Sequence, residues 1–390
     1  MAIRDVGHTV RDLTRAGIVV TKKLAARRLA DERAVTPGMV SELVGRIHPE
    51  RIRVEVAEVV VETPSTRTLR LVSGDGPFPP FRAGQFVCLF LEVGGVRTGR
   101  PYSVSSPPSR TGSLDITVRR MAPGFVSAHL CEKVAAGECL EISGPAGCFV
   151  REPLVDTNDL VFLAGGCGIT PFMSMIQHAA DTHADLRMHL IYGNRSPEDV
   201  IFQERLAALA VSMKNFRMDL VISEPPPGYD GCAGFLDAGT IRKLAGDPAG
   251  KTFFVCGPHA MVDLCLRALE ELGVPGRRIK RELSGPLPDI TVVKGWPREI
   301  EGDREFAVKV DGRGVEFRAR ASEPLLNSLE RQGLTLDALC RAGDCGACRI
   351  RLLEGKVFMP ETVSLRKTDA VFGYIHTCAA YPVSDLTIRV

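Results

Sequence analysis

The spacing of hydrophobic and polar positions changes several times along this chain of 390 residues. In residues 1–50, apolar residues recur at helical spacing with basic residues between them, which predicts a helical N-terminal extension. Short β-rich runs separated by Gly/Pro turns follow over 51–152 and predict an antiparallel β-barrel. Over 153–285, apolar strands alternate with helices, which predicts a doubly wound α/β domain with a parallel sheet.

The remaining residues predict a third domain that follows a linker. Residues 286–304 are irregular, carry several Gly and Pro residues, and contain the single tryptophan, Trp296. Residues 305–390 begin with two strands joined by a Gly-containing turn and continue with a helix and a cysteine-rich loop. We therefore expect a multidomain protein in which an α+β domain comes last.

Composition excludes several classes of protein. A hydrophobic content of 45% and a charged content of 25% are ordinary for globular domains. The net charge of +2 argues against a nucleic-acid binder, which would have to neutralise phosphates. No apolar run approaches the roughly 18 residues of a spanning helix, and the features of a signal peptide are missing. We therefore expect a cytoplasmic protein without a transmembrane segment, whose twelve cysteines stay reduced.

Four cysteines near the end of the chain have the spacing of iron–sulfur ligands. Three follow the pattern C-x4-C-x2-C and the fourth lies well beyond them: Cys340, Cys345, Cys348 and Cys378. This is the ligand pattern of a plant-type 2Fe–2S cluster. Gly343 and Gly346 allow a tight loop whose backbone N–H groups turn toward the sulfurs. The alternatives are four unrelated cysteines or a zinc site, although zinc ligands usually form two C-x2-C pairs or include histidine. We interpret His376 as an ordinary loop residue.

A four-residue motif in the predicted barrel, Arg100-Pro101-Tyr102-Ser103, carries the groups that a flavin site needs. Alternation along a strand places Arg100 and Tyr102 on one face and Ser103 on the other. An arginine can bind a phosphate, an aromatic ring can stack on a planar cofactor, and a hydroxyl can reach a ring nitrogen. Taken alone, the motif is better explained by a barrel strand with a surface arginine.

Further Gly-containing motifs follow the first one in the sequence. The segment from Gly124 opens a predicted helix, whose first N–H groups could hold a pyrophosphate. A second Gly-containing motif, Gly144-Pro-Ala-Gly147-Cys-Phe149, comes at the end of the predicted barrel. The additional candidate cofactor contacts are Thr117, Val118, Arg119, Gly124, Val126 and Ser127.

With these motifs the chain resembles the ferredoxin–NADP reductase superfamily of flavoprotein reductases, whose flavin motif is R-x-Y-S followed by G-x-x-S and G-P-x-G-x-F. The resemblance implies that Arg100 binds the flavin phosphates, Tyr102 packs on the isoalloxazine and Ser103 approaches flavin N5. It also implies pyrophosphate contacts from Gly124, Val126 and Ser127. The helix-opening segment is more similar to FAD-binding members than to the FMN-binding phthalate dioxygenase reductase type. We therefore expect FAD, with FMN as the alternative.

The first strand of the predicted parallel sheet runs into a Gly-rich turn. Threonine at the helix cap and proline at the first helical position would place a helix N-terminus at the carboxyl end of this strand, where dinucleotides bind. The turn lacks the G-x-G-x-x-G fingerprint, and a generic tight turn is the plain alternative. Its form nevertheless resembles the pyridine-nucleotide motif of the same superfamily. The residues concerned are Gly165, Gly166, Gly168, Ile169, Thr170 and Pro171.

Three more segments complete the predicted nucleotide site. Asn194 and Arg195 end the second strand, where the adenosine side would lie; NADPH remains open, although NADH is slightly favoured. The resemblance implies that Cys256, Gly257 and Pro258 sit beside the nicotinamide at the flavin. Family members often carry Glu-x-Phe after the last helix, whereas this chain has Glu282 without the aromatic residue. Glu282 stays a candidate for polarising the flavin or nicotinamide.

The resemblance extends from about residue 51 to the end, where the cysteine-rich region is similar to plant-type ferredoxins of the β-grasp fold. It implies an NAD(P)H-dependent oxidoreductase in which hydride passes to flavin beside Ser103 and Cys256. Single electrons then pass through the cluster to a protein acceptor, either an oxygenase component or another low-potential metalloenzyme. The alternatives are an electron-transfer subunit like that of dihydroorotate dehydrogenase and a redox sensor without turnover. The N-terminal helices would dock on the body of the protein or mediate oligomer or partner contact.

Overall fold

Three large sheets follow one another, and the short strands Val357–Phe358 and Tyr381–Pro382 form a small fourth one, in a computed structural model that describes residues 51–74, 76–122, 124–283, 287 and 289–390. These residues belong to one compact unit, Glu50–Val390. The helices predicted over 1–50 lie outside the described residues, so their predicted role in oligomer or partner contact stays a prediction. In the described part of the chain, no helix has both the length and the hydrophobicity to cross a bilayer.

The first sheet is antiparallel, as predicted, and curls toward a barrel. Its strand order is β4-β3-β6-β1-β2-β5. A bridge between Val104 and Ile116 brings the chain just beyond β4 back to β5. The interior is filled by aliphatic side chains from alternate strand positions, as Val54 and Val56 show in β1. The elements are β1 (Ile52–Thr63), β2 (Thr66–Ser73), β3 (Phe86–Val93), β4 (Val96–Ser103), β5 (Leu114–Arg119), helix α1 (Val126–Glu132) and β6 (Cys139–Ile142).

The second sheet is parallel throughout, with the order β10-β9-β8-β7-β11-β12. Strands β7 and β11 are buried along nearly their whole length because helices cover both faces. The pattern in the sequence did not reveal β10, β12 or α4. The elements are β7 (Asp159–Gly165), α2 (Thr170–Asp181), β8 (Arg187–Asn194), α3 (Gln203–Ser212), β9 (Phe216–Ile222), β10 (Cys232–Ala233), α4 (Ala238–Ala245), β11 (Thr252–Cys256), α5 (His259–Glu271) and β12 (Ile279–Glu282).

The third sheet is mixed, with the order β14-β13-β19-β15-β17, and a helix packs against it in the manner of a β-grasp. Strands β13 and β19 run parallel, and the other pairs are antiparallel. The elements are β13 (Glu305–Val310), β14 (Val315–Arg320), α6 (Leu325–Arg331), β15 (Arg349–Glu354), β16 (Val357–Phe358), α7 (Lys367–Val371), β17 (Tyr374–His376), β18 (Tyr381–Pro382) and β19 (Leu386–Arg389).

The segment predicted as a linker packs onto the third sheet. Trp296 is 8% exposed and lies in a small core with Phe306 and Tyr381. Its indole N–H donates to the Ile300 carbonyl at 2.9 Å, which satisfies the buried nitrogen. The tryptophan therefore anchors this segment to the C-terminal module. The domain boundaries proposed from the sequence remain predictions.

Candidate functional site

The order of the parallel sheet fixes where a nucleotide can bind. Strand β8 lies on one side of β7, and β11 lies on the other. The direction in which the chain adds strands to the sheet therefore reverses between β7 and β11, which is the topological switch point. Ligands of such sheets bind in the crevice beyond the carboxyl ends of the strands at this point. The Gly-rich turn follows β7, and Cys256-Gly257-Pro258 follows β11. The structure thus brings together these two motifs, which lie far apart in the sequence.

Close packing requires glycine at position 168 of the turn. A Cβ on Gly168 would lie 2.2 Å from the Cys256 carbonyl oxygen. Backbone cannot move aside for a contact this short, so no larger residue would let the two loops approach in this way. A Cβ on Gly165 would instead meet Met261 Sδ, at the end of a flexible side chain. The Tyr192 hydroxyl, fully buried below the turn, donates to the Gly166 carbonyl at 2.8 Å and fixes its position.

The helix after the turn begins differently from the prediction. A 3₁₀ turn over Gly166–Ile169 precedes α2, and Ile169 occupies the N-cap position. Thr170 is already helical, and its hydroxyl donates to the Cys167 carbonyl at 3.1 Å instead of capping the helix. Pro171 lies in the first turn, where its missing N–H costs nothing. The prediction of a threonine cap was therefore wrong, while the predicted helix N-terminus at the strand end is present.

The flavin motif meets the end of the parallel sheet. Ser103, the last residue of β4, donates a hydrogen bond to Glu282 at 3.2 Å. Glu282 ends β12 and lies directly opposite Cys256 in the neighbouring strand. Burial raises the pKa of Glu282 to about 7, and the nearby Asp344 carboxylate adds to this rise. Burial, together with Glu282, also raises the pKa of the Cys256 thiol. A hydroxyl, a carboxyl group and a thiol therefore converge beside the first barrel motif.

Arg100 and Tyr102 lie on the other face of β4, as the alternation predicted. The Arg100 guanidinium donates to the Thr98 hydroxyl and to the Gly99 carbonyl, the latter at 2.9 Å. It also lies 3.9 Å from the Glu330 carboxylate. Burial lowers the pKa of Arg100 to about 10, with a further contribution from Arg341. Tyr102 packs against the barrel core, and burial raises its pKa.

The remaining candidates in the barrel differ in what they can offer a ligand. Thr117 and Val118 are 2% exposed, and the Thr117 hydroxyl is bonded to two other hydroxyl groups, so these side chains belong to the core. Arg119 reaches the Gly-rich turn and pairs with Asp199 at 2.9 Å. Gly124 closes a tight turn before α1, because a Cβ there would lie 2.2 Å from the Met121 carbonyl oxygen. In the same turn, Val126 is buried and the Ser127 hydroxyl accepts the Met121 N–H.

The carboxyl end of β8 carries a buried amide side chain without a hydrogen-bond partner. Asn194 is 6% exposed, yet neither its amide oxygen nor its nitrogen makes a hydrogen bond. Buried amides are normally satisfied, so this one can receive a ligand. Arg195, which follows, is exposed, and its Nε lies 3.8 Å from a carboxylate oxygen of Glu224. Glu224 belongs to no recognisable sequence motif. It lies beside Arg195 because its backbone N–H donates to the Arg195 carbonyl at 2.9 Å.

The cysteine loop points backbone N–H groups at its sulfurs, as predicted. The Cys340 sulfur accepts the N–H groups of Ala342 at 3.5 Å and Cys345 at 3.3 Å, and the Cys345 sulfur accepts that of Ala347 at 3.5 Å. Gly343 and Gly346 make these turns with φ values of +81° and +71°, which favour glycine. Donors arranged in this way stabilise thiolate charge.

The four thiols lie close enough to interact with one another. Cys345 and Cys378 hold the pKa of Cys340 below its usual range, and Cys378 lowers the pKa of Cys348 to about 6. Because Cys378 interacts with both Cys340 and Cys348, the four sulfurs form one group, as the four thiolate ligands of a 2Fe–2S cluster would. Among the residues that the structure describes, no three His, Cys, Asp or Glu side chains surround the position of a single metal ion.

His376 is more than an ordinary loop residue, which corrects the interpretation from the sequence. It is 2% exposed, and its Nδ1 forms a hydrogen bond with the Gly343 carbonyl at 2.9 Å. The histidine therefore braces the cysteine loop from the neighbouring strand β17. Its position two residues before Cys378 was visible in the sequence, but its contact with Gly343 depends on the fold.

Three family models match the chain in the order of its sheets. They are the oxidoreductase FAD-binding domain over residues 54–150, the oxidoreductase NAD-binding domain over 162–266 and the 2Fe-2S iron-sulfur cluster binding domain over 308–383. The first and second models cover the barrel and most of the parallel sheet. The third covers the four cysteines.

Relatives match over nearly their whole length. The chain is 30% identical to the glycine betaine monooxygenase reductase subunit of Pseudomonas aeruginosa, covering 86% of this chain and 94% of that protein. It is 32% identical to the ferredoxin reductase component of 3-ketosteroid-9-alpha-monooxygenase of Rhodococcus rhodochrous, over 85% and 94% of the two chains. NADH oxidoreductase HCR of Escherichia coli is 29% identical, over 86% and 97%.

A solved structure with the same arrangement of the chain is that of phthalate dioxygenase reductase. The TM-score is 0.64, with 21% sequence identity over 87% of this chain and 98% of the other. At this identity the similarity concerns the fold, and it confirms the predicted classes of all three sheets.

The raised pKa of Glu282 predicts how stability depends on pH. The pKa rises from 4.5 to about 7 on folding. Between these values the unfolded chain loses the proton while the folded chain keeps it, so the stabilising contribution, full below pH 4.5, is lost as pH rises through 7. Relative to that of wild type, the free energy of unfolding of the Glu282→Gln variant should therefore rise by about 3 kcal/mol between pH 4.5 and pH 8. Thermal unfolding across this range measures the difference.

An exposed glutamate supplies the control for this measurement. Glu271→Gln, at the end of α5, should follow the wild-type pH profile. If the stability difference between Glu282→Gln and wild type stayed constant from pH 4.5 to pH 8, the assignment of a buried, neutral carboxyl group at this position would be contradicted.

Proposed function

The chain belongs to the family of flavoprotein reductases that join an FAD-binding, an NAD-binding and a 2Fe-2S domain, and from this membership we propose that it carries electrons from NADH to the oxygenase component of a monooxygenase or dioxygenase. The observation that carries the proposal is the convergence at Ser103. There the flavin motif, the end of the parallel sheet at Glu282 and Cys256, and the cysteine loop at Asp344 come together. A donor and an acceptor of electrons can thus both reach one flavin.

The flavin would be held by the barrel and the turn before α1. Arg100 is the cation for its phosphates, Tyr102 the packing surface and Ser103 the hydrogen-bonding group near its reactive nitrogen. The match to an FAD-binding domain supports FAD over FMN. Bound there, the flavin supplies the chemistry that accepts a pair of electrons as hydride and releases them singly. The further proposed contacts are Pro101, Thr117, Val118, Arg119, Gly124, Val126 and Ser127; for Thr117 and Val118 only the backbone is available.

The nucleotide would lie across the crevice between β7 and β11. The Gly-rich turn brings N–H groups to the pyrophosphate, and the unpartnered Asn194 amide would bind the adenosine half. Cys256 and Ser103 then flank the path of the hydride, and Glu282 holds or releases a proton beside it at neutral pH. The proposed contacts are Gly165, Gly166, Gly168, Ile169, Thr170, Pro171, Asn194, Arg195, Cys256, Gly257, Pro258 and Glu282.

Glu224 supports NADH over NADPH. A carboxylate at the ribose can accept a hydrogen bond from the 2′-hydroxyl of NADH, whereas it would repel the 2′-phosphate of NADPH. Arg195 alone would suit the phosphate, but a carboxylate oxygen of Glu224 lies 3.8 Å from its Nε and would repel that group. The name of the relative NADH oxidoreductase HCR agrees with this preference.

The four cysteines would hold the 2Fe–2S cluster in the third module. Cys340, Cys345, Cys348 and Cys378 supply two thiolates for each iron, and the backbone N–H groups of the loop balance part of the negative charge. Electrons would leave from this module to the acceptor. Two relatives are named as reductase components of monooxygenases, which supports an oxygenase component as the acceptor over the alternatives of a dihydroorotate-dehydrogenase-like subunit or a sensor.

Removing one cluster ligand should separate the two halves of the reaction. In Cys345→Ser, cluster absorbance should be lost while NADH still bleaches the flavin at the wild-type rate, because Cys345 lies outside the nucleotide crevice. Reduction of cytochrome c through the cluster should fall to background. Anaerobic stopped-flow absorbance follows the flavin, and a steady-state assay follows cytochrome c.

A second serine variant serves as the control for the loss of a thiol. Cys139 is an exposed, free cysteine in β6 of the barrel, and Cys139→Ser should keep both activities. If purified, reconstituted wild-type protein oxidised no NADH in the presence of cytochrome c, the proposed function would be wrong.

Removing the Glu224 carboxylate should relax the preference for NADH. In Glu224→Ser, kcat/KM for NADPH should rise by about tenfold, equivalent to about 1.4 kcal/mol, because Arg195 becomes free to bind the 2′-phosphate. The kcat/KM for NADH should fall slightly. Ferricyanide reduction with each nucleotide measures both constants, and Glu271→Ser on α5 is the matched control. An unchanged NADPH-to-NADH ratio would exclude this role for Glu224.

A further inference from the structure

A buried polar network joins the barrel to the cluster module. Its members are at least nine-tenths buried: Thr98 of β4 is 6% exposed, Glu330 of α6 is 5% exposed, and Arg341 of the cysteine loop is 5% exposed. The Thr98 hydroxyl donates to Glu330 Oε2 at 2.8 Å and accepts from Arg341 at 2.9 Å. Arg341 also forms an ion pair with Glu330. One hydroxyl of the barrel is thus bonded to two charged groups of the other module.

The Thr98 hydroxyl uses all of its hydrogen-bonding capacity in this network. Arg100, two residues along β4, donates to the same oxygen. A hydroxyl has one donor and two acceptor sites, and here the donor serves Glu330 while the acceptor sites serve Arg100 and Arg341. The geometry of all three charged side chains is therefore defined by one atom.

Glu330 supplies the negative charge between the buried guanidinium of Arg341 and the partly buried guanidinium of Arg100. Its Oε1 contacts Arg341, and its Oε2 lies 3.9 Å from Arg100. Without this carboxylate, the two positive charges would lie close together with little water to screen them, which is unfavourable. The carboxylate therefore keeps α6 and β4 together at this point.

The two ends of the network coincide with the two proposed redox sites. Arg100 belongs to the flavin motif, and Arg341 directly follows Cys340, the first proposed cluster ligand. Arg341 has a left-handed backbone with φ of +52°, uncommon for a residue other than glycine, and its side chain is held by Glu330, Thr98 and Asn327. Nearby, the Cys88 thiol of β3 donates to the Ala338 carbonyl at 3.4 Å, so the same face of the barrel contacts the chain just before the cluster.

We propose that Glu330 is a positioning residue for electron transfer: through Thr98, Arg100 and Arg341 it fixes the cluster module against the flavin barrel at the separation through which single electrons pass. The proposal rests on the proposed function, since it assigns a role within that reaction. Electron transfer between fixed centres falls steeply with distance, whereas hydride transfer from NADH takes place on the other side of the flavin motif, at Ser103. Loss of the network should thus affect one step and spare the other.

Two variants of the full-length protein, loaded with flavin and cluster, test the proposal. Glu330→Gln removes the charge and Thr98→Val removes the bridging hydroxyl at constant volume and charge. In both, anaerobic mixing with NADH should bleach the flavin at the wild-type rate, while the following reduction of the cluster should slow by about tenfold. Stopped-flow absorbance follows the flavin, and freeze-quench electron paramagnetic resonance follows the cluster.

A matched control lies in the same module. Glu323 is bonded to Arg331 and Ser328, all within the cluster module. Glu323→Gln therefore makes the same chemical change near the same helix without touching the barrel, and both steps should keep their wild-type rates. Because Thr98→Val changes no charge, the midpoint potential of its cluster should equal that of wild type. Slower cluster reduction in this variant would then come from the position of the cluster and not from a smaller driving force.

Several outcomes would overturn the proposal. These are wild-type rates of cluster reduction in both variants, equal slowing of flavin and cluster reduction, loss of flavin or cluster, or a shift in the Thr98→Val potential that accounts for the slower step. If Glu330→Gln does not fold, Thr98→Val decides alone. Failure of the proposed function looks different, because wild-type protein would then show no reduction of flavin or cluster by NADH.

Discussion

The hydrogen bond between Ser103 and Glu282 is the point on which the arrangement of the molecule depends. It links the last residue of a barrel strand to the last residue of the parallel sheet, 179 positions away. A reaction that takes two electrons from a nucleotide and passes them on singly needs the nucleotide and the acceptor on the same cofactor. The barrel must therefore contact both neighbours at once. Ser103 makes one of these contacts and Thr98, on the opposite face of the same strand, makes the other.

The strand β4 divides these contacts by simple alternation. Ser103 points to the nucleotide domain, whereas Thr98 and Arg100 point to the cluster module. A short stretch of one strand therefore contacts both neighbouring modules. In the proposed site the same stretch would also hold the flavin, so its side chains would have several neighbours to satisfy.

Much of this organisation could be predicted from the sequence, because the signals are local. The helix predicted after the Gly-rich turn is present as α2, and the cysteine spacing indicated which sulfurs lie together. The N-terminus of α2 was misjudged, since a 3₁₀ turn shifts the cap to Ile169. Glu224, Glu330 and the brace at His376 have no local signal. A lone glutamate is usually exposed, and only the fold shows that Glu330 meets Arg341 and, from the barrel, Arg100. The short strands β10 and β12 are likewise defined by their neighbours.

The position of β19 in the third sheet has a consequence for how the protein is made. This last strand of the chain lies in the centre of the sheet, paired with β13 on one side and β15 on the other. The barrel and the parallel sheet are complete in sequence before residue 283 and can fold while synthesis continues. The third module cannot close its sheet until β19 has been synthesised. A substitution that weakens the pairing of β19 would therefore open the centre of the module rather than its edge.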